Sequence, residues 1–96
     1  MQVSAWSNGK GTFGLRVGKR NRERFFRDEW DEIYLEIEGE MHRVGLTGGF
    51  WKECPEIRDP VLREWLRGHR SLQWPRGHPP RAELVPLGGN RFRLLP

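Results

Sequence analysis

The 96-residue chain has a single cysteine, Cys54, so it cannot form an intrachain disulfide or a four-cysteine metal site. His42, His69 and His78 show no metal-ligand spacing, and no Cys-His cluster accompanies them. Long apolar runs are also missing. None approaches the ~20 residues that span a bilayer, and the N-terminal stretch lacks the apolar segment of a secretory signal. These absences predict a cytoplasmic protein with no membrane association. Lysine is scarce, with three Lys against fourteen Arg. A GC-rich or thermophilic genome explains that bias, as does selection for bidentate phosphate contacts.

Apolar residues make up only 35% of the chain, but five Trp and five Phe compensate, because each aromatic buries a large area. An ordered single domain over residues 1–96 with one modest core is therefore expected. A nucleotide-binding fold with its own catalytic apparatus would be cramped in this length.

The net charge of +4 conceals three blocks. Lys10 to Arg27 holds seven basic residues against Glu23 alone, a net +6. Asp28 to Glu40 holds seven acids and no Lys or Arg, a net −7. From Met41 onward ten basic residues oppose five acids, a net +5. If the blocks lie on different faces the surface is polarised, and its basic face is the candidate binding surface.

Periodicity assigns the elements. In "TFGLRV" the residues Phe13, Leu15 and Val17 alternate with Thr12, Gly14 and Arg16, the pattern of a half-buried strand. Asn21 is placed to cap a helical turn presenting Phe25 and Phe26 to the core. "DEIYLEIEGEMHRVGLT" reads as a hairpin that turns at Glu38-Gly39-Glu40, with Ile33, Leu35, Ile37, Val44 and Leu46 inward. "TGGFWKECPEIR" reads as an irregular connector anchored by Phe50 and Trp51. The clearest helix is "DPVLREWLRG", with Asp59 as N-cap, Pro60 at N1 and Gly68 at C′. Val61, Leu62, Trp65 and Leu66 form its buried stripe, and Arg63, Arg67 and Arg70 lie opposite. "SLQWPRGHPPR" is an extended loop, and "AELVPLGGNRFRLL" forms a second hairpin. The expected fold is α+β: a small antiparallel, partly closed sheet or barrel of about five strands, with one clear helix and one short one.

Gly9, Gly11 and Gly14 match G-x-G-x-x-G. A dinucleotide site needs a helix opening at those glycines, whereas here an alternating strand follows. A kinase-type loop lacks its partners, and no Gly-Lys-[Ser/Thr] of a Walker motif occurs. The stretch is therefore read as a glycine turn feeding a strand. Cations surround it: Lys10, Arg16, Lys19, Arg20, Arg22 and Arg24.

Trp65 and Trp30 are assigned to the core. Trp6, Trp51 and Trp74 sit in stretches rich in Gly and Pro, where each either pins its loop or stacks on a base. "WPRGHPPR" holds Trp74, Arg76, His78 and Arg81 on a stiff scaffold. The candidate nucleic-acid-binding set is Lys10, Arg16, Lys19, Arg20, Arg22, Arg24, Trp51, Lys52, Arg63, Arg67, Trp74 and Arg76.

No catalytic residue, cofactor or metal ligand is assigned. Cys54 in "KECPE" has no evident activating base and reads as an inert thiol. Asp28, Glu29, Asp31 and Glu32 are the only metal-binding candidates, and carboxylates ahead of a strand also serve as a solvated edge.

Together, "WSNGKGTFGLRVGKRNRERFFRDEW", "FWKECPEIRDPVLREWL" and "WPRGHPPRAELVPLGGNRFRL" resemble a family of short uncharacterised bacterial proteins. The likeness rests on aromatic, Gly and Arg positions over nearly the whole chain. It implies a complete small protein and carries over no activity or site residue.

The leading expectation is a non-enzymatic, nucleic-acid-binding module, with DNA and RNA both open as partners. The alternative is a protein-interaction or regulatory module acting on a larger nucleic-acid enzyme, since segregated charge also steers protein partners. A small metal-dependent nuclease is the third reading. Oligomeric state stays open: an edge strand can pair with a second copy, while the Glu-rich strand resists by like-charge repulsion.

Overall fold

The computed structural model describes residues 1–53 and 55–96; Cys54, read above as an inert thiol, lies outside them. Among the described residues, seven strands and three helices follow one another along the chain. They are β1 (Gln2–Ser7), β2 (Phe13–Arg16), α1 (Lys19–Phe25), β3 (Glu32–Ile37), β4 (Glu40–Gly45), α2 (Gly48–Trp51), β5 (Glu56–Arg58), α3 (Pro60–His69), β6 (Arg81–Gly88) and β7 (Arg91–Leu95). All seven strands join one sheet in the order β4-β3-β7-β6-β1-β2-β5. Its two end strands, β4 and β5, approach each other without pairing, so the sheet curls into a nearly closed barrel.

The α+β class and the curled sheet agree with the sequence reading, but the count and the pairing do not. There are seven strands rather than about five, because β1 and β5 add to those recognised. The sheet is also mixed: β3 runs parallel to β7. Two hydrogen bonds fix that join. Asn90, in the β6–β7 turn, donates from Nδ2 to the Glu32 carbonyl at 3.0 Å, and Tyr34 N–H donates to the Asn90 carbonyl at 2.9 Å.

The hairpins form where expected. The β3–β4 turn is shorter than predicted, consisting of Glu38 and Gly39 with Glu40 already paired to Ile37. Both turn residues have positive φ, 52° and 84°, as a two-residue turn matched to strand twist requires.

Helix α3 begins as predicted, with the Asp59 carboxylate accepting from Val61 N–H at 3.0 Å and Pro60 at the first position. It runs past Gly68 to His69, so Gly68 is a helix residue and Arg70 is the C-cap. Leu62, Trp65 and Leu66 are buried, while Val61 is only half-buried. The connector read as irregular contains α2 and β5. Helix α1 has Gly18 at its N-cap, not Asn21, whose side-chain amide instead donates to the carbonyls of Gln2 and Val17 at 2.8 and 3.0 Å.

One core fills the concave side. Val3, Ala5, Leu15, Ile33, Leu35, Ile57, Leu84, Phe92 and Leu94 face it from the strands, and α3 closes it with its apolar stripe. Phe26 stacks on Phe92 with centroids 4.9 Å apart and packs against Phe50 at 5.1 Å. This aromatic cluster holds α1 and α2 to the sheet. Each such ring contributes roughly 1.5–3 kcal/mol by burial, which offsets the low aliphatic content. Phe25, paired with Phe26 in the sequence reading, is instead half-buried beneath the Arg24 guanidinium. No helix among the described residues is long and apolar enough to cross a membrane.

Candidate nucleic-acid interface

Strand alternation settles which residues share the outer face of β6, β1, β2 and β5. In β1, Val3 and Ala5 are buried in the core, which turns Gln2, Ser4 and Trp6 outward. In β2, Phe13 and Leu15 turn inward, and Gly14 and Arg16 outward. Register then aligns two rows across the strands. One is Arg81–Ser4–Arg16–Glu56, and the other is Trp6–Gly14–Arg58.

The second row has a gap at its centre. A Cβ on Gly14 would fall 2.0 Å from the Ile57 carbonyl oxygen, so β5 approaches β2 too closely for any side chain there. Across that gap the Arg58 guanidinium lies over the Trp6 indole, 4.5 Å from the ring centroid. The third glycine of the G-x-G-x-x-G match therefore serves strand packing.

Glu56 is the buried charged residue of this region, and it organises the first row. Its carboxylate meets Arg16 Nε at 3.6 Å and Arg58 Nη2 at 3.4 Å. Its side chain is 5% exposed, whereas those of Arg16 and Arg58 are 58% and 43% exposed. One buried anion thus holds two cations that still reach solvent, leaving the cluster with net positive charge.

Two depressions adjoin this face, and the first also wraps the edge of β1 to reach the inward-facing Ala5 and Ser7. A cleft of about 510 Å³ runs along β1 beside the loop after α3, between Trp6 and Ser7 on one side and Trp74 and Gln73 on the other. A groove of about 260 Å³ lies between Arg16 and Arg81. Ser4 and Arg16 line both, so the two adjoin. Trp74 is held edge-on against Phe13, with centroids 6.2 Å apart.

The twelve residues predicted from sequence separate into groups. Arg16 and Trp74 line these depressions. Lys10 is exposed in the β1–β2 loop next to Gly9, a cleft residue, and Arg76 is exposed in the loop that forms the cleft wall. Lys19 and Arg20 open α1 at the groove's far end, where Asn21 binds the backbone of Gln2 and Val17. Arg63 stands at the margin, its guanidinium 5.8 Å from the Phe13 ring centroid.

The other five lie elsewhere. Arg22 donates to the Phe50 carbonyl at 2.8 Å, and Arg24 covers Phe25. Trp51 is half-buried and donates from Nε1 to the Trp30 carbonyl at 3.3 Å, lining a separate depression with Arg22. Lys52 follows it, exposed. Arg67 pairs with Glu64 on α3. Trp65 is core, as predicted, while Trp30 packs against the core half-buried.

Sequence reasoning missed Arg58 and Glu56, and it placed Trp6 in a loop rather than on a strand. The alternation of Val3 and Ala5 with Ser4 and Trp6 was the available signal for Trp6. Arg58 and Glu56 belong to a three-residue strand, too short to show a period.

Among the described residues, no three His, Asp or Glu side chains are grouped to hold a metal ion. Of the acidic run, Glu32 accepts from the Tyr34 hydroxyl at 2.8 Å and pairs with Arg43 at 3.4 Å. That bond to Glu32, together with the nearby negative charge, raises the Tyr34 pKa above its ordinary value of 10.0. Comparison with protein-family models, curated proteins and solved structures finds no match.

Proposed function

We propose that this chain is a non-enzymatic, cytoplasmic nucleic-acid-binding module whose contact surface is the outer face of β6, β1, β2 and β5. The observation that carries this reading is the presence of Arg16, Arg58 and Arg81 with Trp6 on one continuous face. Guanidinium groups contact phosphates in a bidentate manner, and an indole offers a stacking surface to any base. Lys10, Arg76, Lys19 and Arg20 extend positive charge beyond both ends of the cleft and groove. Fluorescence anisotropy with labelled single-stranded DNA, duplex DNA and RNA at several salt concentrations tests it. About three phosphate contacts give a log–log salt slope of roughly −2 on a single strand. Flat curves at low salt for all three polymers contradict the reading.

A specific feature also favours a protein partner. Between α3 and the β3–β4 turn, a separate cleft of about 400 Å³ gathers Glu38, Glu40 and Glu64, each beside a basic partner (His69, His42 and Arg67), around Val61 and Trp65. A basic segment of a larger nucleic-acid enzyme suits that chemistry. Recovery of a defined complex that is lost in Glu38→Lys, with no nucleic-acid binding, would favour this second reading.

A further inference from the structure

Building on the nucleic-acid reading, we propose that the cleft beside Trp6, Ser7 and Trp74 receives one unpaired base of a single strand, and that the Arg16–Arg81 groove carries the phosphates next to it.

Three features point to a base rather than to phosphates alone. First, Trp6 and Trp74 both line the cleft, and each indole is held in place, Trp6 by Arg58 and Trp74 by Phe13. Fixed indoles stack on a base without losing further side-chain freedom.

Second, the cleft exposes a pairing edge of β1. On the β6 side, strand pairing ends with Ala5 N–H donating to the Pro80 carbonyl at 2.7 Å. Backbone groups alternate in direction along a strand, so the next residue aimed at that side is Ser7. Among the described residues, no strand lies beside it there. Ser7 therefore presents one N–H donor and one C=O acceptor next to the stacking surface, the complement of a base edge. The Gln73 amide lines the same cleft and adds a donor and an acceptor.

Third, the cleft and the groove differ in chemistry in the way that base and backbone differ. The cleft sets the rings of Trp6 and Trp74, with Leu72 and Pro79, among the polar side chains of Ser4, Ser7 and Gln73, while the groove has no aromatic ring and lies between the two arginines Arg16 and Arg81. Arg16 is common to both and marks where a base would leave the phosphate track. A duplex keeps its bases stacked inside the helix, so only an unpaired base presents its face to these indoles.

The test uses the intact protein and four probes of about ten nucleotides at fixed salt: a mixed single strand as DNA and as RNA, its duplex, and an abasic single strand of the same phosphate count. The base-bearing single strand is expected to bind roughly five- to a hundredfold more tightly than the abasic strand and the duplex. Trp6→Ala and Trp74→Ala should each lower affinity for the base-bearing strand more than for the abasic strand, so that the preference shrinks. Trp6→Phe and Trp74→Phe should retain most of it, and far-UV circular dichroism of all four confirms folding. Equal affinity for base-bearing and abasic strands overturns the base site yet leaves the phosphate-binding face standing. Absence of binding to every probe overturns both.

Discussion

The Arg58 guanidinium lies over the Trp6 indole, 4.5 Å from its centroid, although the two residues sit on strands that are not neighbours in the sheet. Gly14, on the strand between them, leaves the space that Arg58 crosses. This contact ties the glycine-rich hairpin, the three-residue β5 and the candidate interface into one unit.

That dependence makes Gly14→Ala a sharp test. Its Cβ would sit 2.0 Å from the Ile57 carbonyl, and backbone cannot yield as a flexible side-chain tip can. Overpacking of this kind costs about 3 kcal/mol or more. Urea unfolding should show a lowered midpoint, and the β2–β5 amides should lose hydrogen-exchange protection.

Arginines on the face should behave differently from those off it. Arg16→Ala and Arg81→Ala should each make the salt slope of single-strand binding shallower by about 0.7. Arg67→Ala should leave the slope unchanged, because Arg67 stands beside Glu64 on α3 and lines neither the cleft nor the groove.

The sole tyrosine provides a pH prediction. Its hydrogen bond to Glu32 raises the folded-state pKa of Tyr34 above 10.0. Because the folded value exceeds the unfolded one, this stabilisation is complete below the ordinary value and is lost as pH rises through the raised one. Ultraviolet titration of tyrosinate should give a midpoint above 10.0, and Glu32→Gln should bring it back down.

Asp59→Ala removes the side-chain acceptor for Val61 N–H at the start of α3. Loss of such a cap costs about 1 kcal/mol. A thermal melt should show a modest drop, with the helix still present in the folded state.

Features governed by local chemistry were legible in the sequence. Both hairpins, the cap of α3 and its buried Leu62, Trp65 and Leu66 follow from turn residues and periodicity. The end of α3 was misplaced because Gly68 resembles a terminator, yet nothing prevents a helix from continuing through it. The parallel β3–β7 pair depends on Asn90 reaching Glu32 from far along the chain, which no local pattern encodes. The same holds for the site. Its arginines were evident as composition, but which of them share a face depends on register between distant strands. Arg58 and Glu56 acquire their roles only once β5 docks beside β2.

Amide and indole chemical-shift mapping at low salt, with a short single strand added, tests the central claim most directly. The account predicts shifts concentrated at Trp6, Ser7, Gly14, Arg16, Arg58 and Arg81 and at the indole N–H groups of Trp6 and Trp74, with Trp51 and Trp65 unmoved. Shifts confined to Glu38, His42, Glu64 and His69 in the other cleft, or no shifts at all, would contradict it.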